Sequence, residues 1–224
     1  MLDISTLSTA DAQAIAAQLF QLQAQAQGDP VGAKKPKKRA KRAGDEIKYF
    51  TEAEIERFFK VIKSTRDRAI FRIMYHRGLR AAEVGMIQLS DYLAKDDRLI
   101  FKRLKGSAGG EYHLSKSEVK ALKDWIRERG SEPGTLFPSR KGTPISQQML
   151  DVLMKKYGAA AAIPEDKRHC HALKHSCGTH LLNKGESIED VQDHLGHRQV
   201  ANTLIYARYT NKRRHERDRR LRDW

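Results

Sequence analysis

The stretch from His169 to Thr210 constrains this chain most. It opens His169-Cys170-His171-Ala172-Leu173-Lys174-His175, runs through Leu195-Gly196-His197 and closes on Thr203-Leu204-Ile205-Tyr206. Histidines, a cation and a tyrosine are spread over about forty residues of otherwise helical pattern. Metal-free phosphodiester transfer requires a nucleophile for phosphorus and cations for the non-bridging oxygens. It also requires a base for the nucleophile's proton and an acid for the leaving oxygen. The stretch holds most of such a set, and the remaining pieces are expected upstream.

Lys and Arg number 43 against 28 Asp and Glu, a formal net charge of +15. That excess points to a polyanionic partner, nucleic acid above all. A membrane surface is the weaker reading, because no long basic amphipathic helix with an aromatic apolar face is present and no stretch has the length of a span. The 224 residues, 39% of them hydrophobic, suffice for one well-cored domain with appendages. The two cysteines, Cys170 and Cys177, indicate no disulfide framework and a reducing interior. A soluble protein of the cytoplasm, associated with the nucleoid, is expected. No GxxxxGK[ST] loop and no acidic cluster spaced for a nuclease metal occur, and the His/Cys spacing fits no standard zinc site. Neither a metal nor any other cofactor is expected.

Residues 1–30 are rich in Ala and Gln, and Ile15, Leu19 and Leu22 share one face of a marginal helix. Residues 31–45 form a basic arm: Lys34, Lys35, Lys37, Lys38, Arg39, Lys41 and Arg42 place seven cations in nine residues with no acid. Such a run repels itself, is expected to be disordered alone, and neutralises phosphates without reading sequence. The folded domain is expected over 46–210. Thr51 and Glu54 form a capping box before a helix that turns Ile55, Phe58, Phe59 and Ile62 inward. A second helix over about 66–76 stops at Gly78, and a third segment from Arg80 to Leu89 turns Val84 and Ile87 inward. Arg98–Lys102 and Tyr112–Leu114 read as a β-hairpin around Gly106-Ser107-Ala108-Gly109-Gly110. Further helices start at the Ser115/Glu118 capping box and at Ser146, and run over about 171–183, 188–194 and 200–209. Residues 211–224 are an Arg-rich tail. The fold class is mainly α with a small antiparallel β-hairpin sheet.

His171-Ala172-Leu173-Lys174-His175-Ser176, followed by Thr179-His180-Leu181-Leu182, resembles the H-x-L-R-H helix of tyrosine recombinases, the phage-integrase family. Leu195-Gly196-His197 with Tyr206 nine residues on resembles that family's L-G-H and tyrosine close. Gly78-Leu79-Arg80-Ala81-Ala82-Glu83-Val84 is similar to its G-L-R-x-x-E segment, and Lys105 stands where the family keeps a hairpin lysine. The resemblance implies the tyrosine recombinase catalytic-domain fold and a site-specific DNA recombinase. Such an enzyme cleaves and rejoins double-stranded DNA through a 3′-phosphotyrosyl intermediate, as a homo-oligomer (dimer or tetramer) on the DNA. It implies Tyr206 as nucleophile, Arg80 and Lys174 as phosphate-binding cations, and Lys105 as general acid. It further implies His171 as acid/base, His197 as a phosphate hydrogen-bond donor, and Glu83 as support for the site. Lys102 and Arg103, flanking the hairpin lysine, join the arm as expected DNA contacts.

The sequence departs from the family in two respects. The family has arginine where this chain has Lys174. A guanidinium grips two phosphate oxygens together whereas an ammonium is a point charge, and losing one well-placed oxyanion donor costs roughly two to three orders of magnitude in rate. That opens a second reading, a non-catalytic or weakly catalytic DNA-binding regulator or architectural protein on the same fold. If Lys174 is a weakened catalytic group, Lys174→Arg is expected to raise cleavage. The family also usually closes a clamp on DNA with an N-terminal helical domain, for which residues 1–45 are too few and too polar. The chain resembles the short, fimbrial-switch form, with the arm partly replacing the clamp half. His169, His175, His180 and His194 are compatible with structural duty.

Overall fold

A computed structural model describes residues 47–104 and 109–207, together with 218–219 and 221–222. All of these belong to one compact unit, Glu46–Trp224. The helix expected within 1–30, the arm of 31–45, Lys105 and most of the tail lie outside the described residues.

Helix α1 (Glu52–Val61) starts where the Thr51 hydroxyl accepts the Glu54 amide and the Glu54 carboxylate accepts the Thr51 amide at 2.7 Å. The reciprocal cap satisfies two donors that a helix start leaves open, and Ile55, Phe58 and Phe59 then face inward. Helix α2 (Thr65–Arg77) is capped by Ser64 and ends at Gly78, in the left-handed region with φ 56°. A Cβ at Gly78 would fall 2.2 Å from Leu195 Cδ2, so any side chain there would displace Leu195 as well as strain the backbone.

Helix α2 is the centre of the core. Ile70, Phe71, Ile73 and Met74 are buried, and the helix packs on α4 (Lys116–Arg129) and α6 (Cys170–Lys184). Phe58 meets Phe50 and Phe71 edge to face, and Phe71 meets Tyr157, with ring centres 5.3 to 6.1 Å apart. Each buried ring stabilises the fold by about 1.5–3 kcal/mol. Tyr157 keeps its hydroxyl satisfied by donating to Asp67 Oδ2 at 2.7 Å.

The segment expected from Arg80 to Leu89 is helical only over α3 (Ala81–Val84); a 3-10 turn follows at Leu89–Asp91. Val84 and Ile87 are buried as their spacing requires. The expected hairpin forms from β2 (Arg98–Phe101) and β3 (Gly110–His113), and β1 (Tyr92–Leu93) adds a third antiparallel strand in the order β1-β2-β3. Two residues are too few to display a period of two, so β1 carries no sequence pattern of its own. Helices α5 (Gln147–Ala160), α7 (Ile188–Leu195) and α8 (Ala201–Ala207) complete the described chain. A small second cluster of Cys177, Leu182, Val191, Leu195 and Tyr206 joins α6, α7 and α8. No helix among the described residues is long and apolar enough to cross a membrane.

Candidate active site

Arg80 stands just before α3, and Glu83 fixes it. The buried Glu83 carboxylate accepts the Arg80 amide at 2.8 Å on one oxygen and the Arg80 guanidinium at 2.8 Å on the other. The second oxygen also accepts the Leu104 amide at 3.1 Å, tying the base of the hairpin to Arg80. Burial pushes the Glu83 carboxyl up, but the bonds from the Arg80 and Leu104 amides and the Arg80 guanidinium outweigh it and hold it below its ordinary value. The Arg80 side chain keeps 29% of its surface exposed, so a ligand can reach it.

Helix α6 carries the histidines. His171 and His175, one turn apart, meet edge to face with ring centres 4.5 Å apart, His171 being exposed. His175 Nδ1 lies 3.1 Å from the Tyr206 hydroxyl. The Tyr206 ring is packed at 1% exposure, flat against His197 at 6.2 Å. Its other side approaches Gly178 so closely that a Cβ there would sit 2.7 Å from Tyr206 Cε2. Burial, with the Cys177 thiol adding to it, pushes the Tyr206 phenol up, and Arg80 draws it partly back. His197 Nδ1 is 2.9 Å from the Thr203 hydroxyl. Burial, then the charges of Lys174, Arg80 and Arg103, push His197 down to about 3, so its ring is neutral at ordinary pH. The tyrosine is thus buried in the cluster of Cys177, Leu182, Val191 and Leu195, and its hydroxyl has His175 Nδ1 beside it.

Two expected cations are placed differently from the expectation. Lys174 is 1% exposed, and its Nζ donates to the carbonyls of Gly78 at 2.9 Å and Leu195 at 2.7 Å. Burial, then Arg103 and Arg80, push it down to about 7. Arg103, expected among the DNA contacts, is corrected: it is buried, and its guanidinium donates to the Arg77, Gly78, His194 and Leu195 carbonyls. The inward–outward alternation of β2 carries on past its end at Phe101: Phe101 and Arg103 are buried while Lys102 between them is exposed. In the sequence His175 reads only as a structural histidine, whereas it meets the tyrosine hydroxyl. Its i, i+4 spacing from His171 is the available signal, but its partner Tyr206 is 31 residues away. His180, on the Tyr75 hydroxyl at 2.9 Å, and His194, donating to the His76 carbonyl at 2.7 Å, are structural. Among the described residues no group of His, Cys, Asp or Glu is placed to hold a metal ion.

Contacts join the candidate residues in two groups: Arg80 with Glu83, and His171, His175, Tyr206 and His197 in series, with Lys174 on the Leu195 carbonyl two residues before His197. They offer a partly exposed arginine, a hydroxyl beside an imidazole, and a neutral imidazole stacked on the same ring.

Residues 48–213 match the model of the phage integrase family. Type 1 fimbriae regulatory protein FimB of Escherichia coli strain K12 is 32% identical over 167 residues, which cover 71% of this chain and 83% of FimB. Among solved structures, XerA recombinase shares a TM-score of 0.70 and 24% identity over 80% of this chain and 66% of that one. The XerH site-specific recombinase bound to palindromic difH substrate, a post-cleavage complex, gives 0.65 and 24% over 76% of this chain and 52% of XerH. The chain spans most of FimB but only about half of XerH.

Proposed function

This chain belongs to the phage integrase family, and from that membership we propose that it is a site-specific DNA recombinase using Tyr206 as its nucleophile. The observation that carries this is the 3.1 Å approach of the Tyr206 hydroxyl to His175 Nδ1, in a set that includes Arg80, His171 and His197. Tyr206, 1% exposed in this structure, has to be uncovered as DNA binds; its oxygen then attacks the scissile phosphorus while its proton passes to His175, beside the exposed His171. Arg80, held by Glu83, takes the non-bridging oxygens, and His197 adds a hydrogen bond to the phosphate. Lys105, assigned by its place in the family motif, gives a proton to the 5′-oxygen as the phosphorus–oxygen bond breaks. The product is a 3′-phosphotyrosyl link and a free 5′-hydroxyl, and the reverse step rejoins DNA. The covalent link conserves the energy of the broken bond, so neither nucleotide nor metal is consumed. The arm of Lys34, Lys35, Lys37, Lys38, Arg39, Lys41 and Arg42, with exposed Lys102, holds the duplex by its phosphates. XerH is bound to a palindromic substrate; a two-fold site would seat two copies of this chain, and a homo-oligomer on DNA follows.

The test is the chemistry of the cut end. On duplexes tiled across the DNA that flanks the coding sequence, cleavage should leave a 5′ end that polynucleotide kinase labels directly and a 3′ end that stays blocked to exonuclease even after protease digestion, which leaves a tyrosyl peptide on its phosphate. One observation favours the second reading, a regulator that binds without cutting: the Lys174 ammonium is taken up by two carbonyls. Tight binding with neither type of end would support it.

A further inference from the structure

We infer that Arg103 is a positioning residue of this site, fixing the two helix ends that carry Arg80 and His197, with Lys174 as the side chain that fits beside it; this rests on the recombinase reading above. The last carbonyls of a helix lack partners within it and carry the negative end of its dipole. The α2 end presents the Arg77 and Gly78 carbonyls, two residues before Arg80. The α7 end presents the His194 and Leu195 carbonyls, two residues before His197. One Arg103 terminal nitrogen donates to Leu195 at 3.0 Å and Gly78 at 3.5 Å; the other donates to Arg77 at 2.9 Å and His194 at 2.6 Å. Each nitrogen therefore bridges the two helix ends. The planar fork does this with four donors, which the three tetrahedral donors of a lysine cannot match. Glu83, 3.9 Å from the same guanidinium, balances its charge and holds Arg80. A slip of either end would carry Arg80 or His197 with it, and a misplacement of ~1 Å costs roughly 10²-fold in rate.

Lys174 reaches the same Gly78 and Leu195 oxygens, at 2.9 and 2.7 Å. A carbonyl oxygen has two lone pairs, so each oxygen is filled by one donor from Arg103 and one from Lys174. A second guanidinium at 174 would bring a wider head and surplus donors into a place that is 1% exposed. Lysine at 174 and arginine at 103 are thus a matched pair, and Lys174→Arg alone lowers cleavage, the reverse of what the family resemblance alone gives.

The test uses the full chain and the nicked duplex on which the wild type forms its covalent adduct, made with a phosphodiester or with a methylphosphonate at the scissile position. A methylphosphonate is uncharged and has one non-bridging oxygen fewer, so its reaction depends less on cations placed around phosphorus. Arg103→Lys and Arg103→Met are expected to slow phosphodiester cleavage roughly 10²-fold and methylphosphonate cleavage less than about tenfold. Equal slowing on both substrates, or none on either, overturns the inference; should Arg103→Met fail to fold, Arg103→Lys carries the same comparison. The double variant Arg103→Lys with Lys174→Arg is expected to recover about tenfold over the product of the single effects. Strict additivity overturns the pairing. A wild type that forms no adduct on any duplex removes the recombinase reading and this inference with it, whereas an active wild type with equal slowing removes this inference alone.

Discussion

Glu83 grips Arg80 at both ends, taking its backbone amide and its guanidinium at 2.8 Å each, on different oxygens of one fully buried carboxylate. The same carboxylate takes the Leu104 amide. Removing it strands three donors and takes away the carboxylate that faces both Arg80 and the buried Arg103. Glu83→Ala should cost about 3–5 kcal/mol in chemical denaturation. Glu83→Gln, which still accepts through its amide oxygen, should cost less. Equal, small losses for both would show that the carboxylate does not organise this corner.

Gly178→Ala should disturb the tyrosine directly. The added methyl would meet Tyr206 at 2.7 and 2.9 Å and Leu195 at 3.0 Å. Overpacking of this kind costs about 1–3 kcal/mol, and the Tyr206 ring, the nearest group, has to shift. Denaturant unfolding should register the loss, and nitration of Tyr206 by tetranitromethane should become faster. Unchanged nitration would mean that the ring is not wedged where it lies.

Stability should fall in mild acid. Burial pushes His76 down from 6.5 to about 4, against the nearby Glu118 charge, which raises it. Between those values the unfolded chain binds the proton and the folded protein does not, so stability is lost as pH drops from 6.5 to about 4. His197, at about 3, acts with the same sign. His76→Gln should flatten the part of the profile between pH 6.5 and 4. A thermal-melting profile as steep as that of the wild type would contradict the assignment.

Salt dependence should separate phosphate-binding cations from structural ones. Lys102→Gln, or Gln in place of the arm's lysines and arginines, should reduce the slope of log affinity against log salt by about 0.9 for each phosphate no longer neutralised. Arg103→Lys should leave the slope unchanged, since its guanidinium is spent on carbonyls. A reduced slope for Arg103→Lys would return that residue to the DNA-binding set.

What can be read from the chain is whatever local chemistry writes within four residues. The Thr51/Glu54 and Ser115/Glu118 boxes and the Gly78 stop set helix ends without tertiary information. The family blocks then name Arg80, Glu83, His171, Lys174, His197 and Tyr206; the fold sets Glu83 on Arg80 and His197 on the Tyr206 ring, and turns Lys174 onto backbone carbonyls. Lys105 lies outside the described residues. Three features are not legible in this way. Arg103 and Lys102 are both cations, and only the sheet's orientation sends one inward. His175 owes its importance to a residue on another helix. Lys174 reads as a phosphate ligand because the carbonyls it binds belong to positions 78 and 195, remote from it in sequence.

The central claim is that the Tyr206 hydroxyl becomes covalently joined to DNA. Nicked suicide duplexes tiled across the flanking DNA, incubated with wild type and Tyr206→Phe and run on a denaturing gel, test it most directly. A protein–DNA adduct is expected with the wild type on at least one duplex, none with Tyr206→Phe, and equal non-covalent binding by both. An adduct that persists in Tyr206→Phe, or a wild type that binds a flanking duplex tightly and forms no adduct, would contradict it.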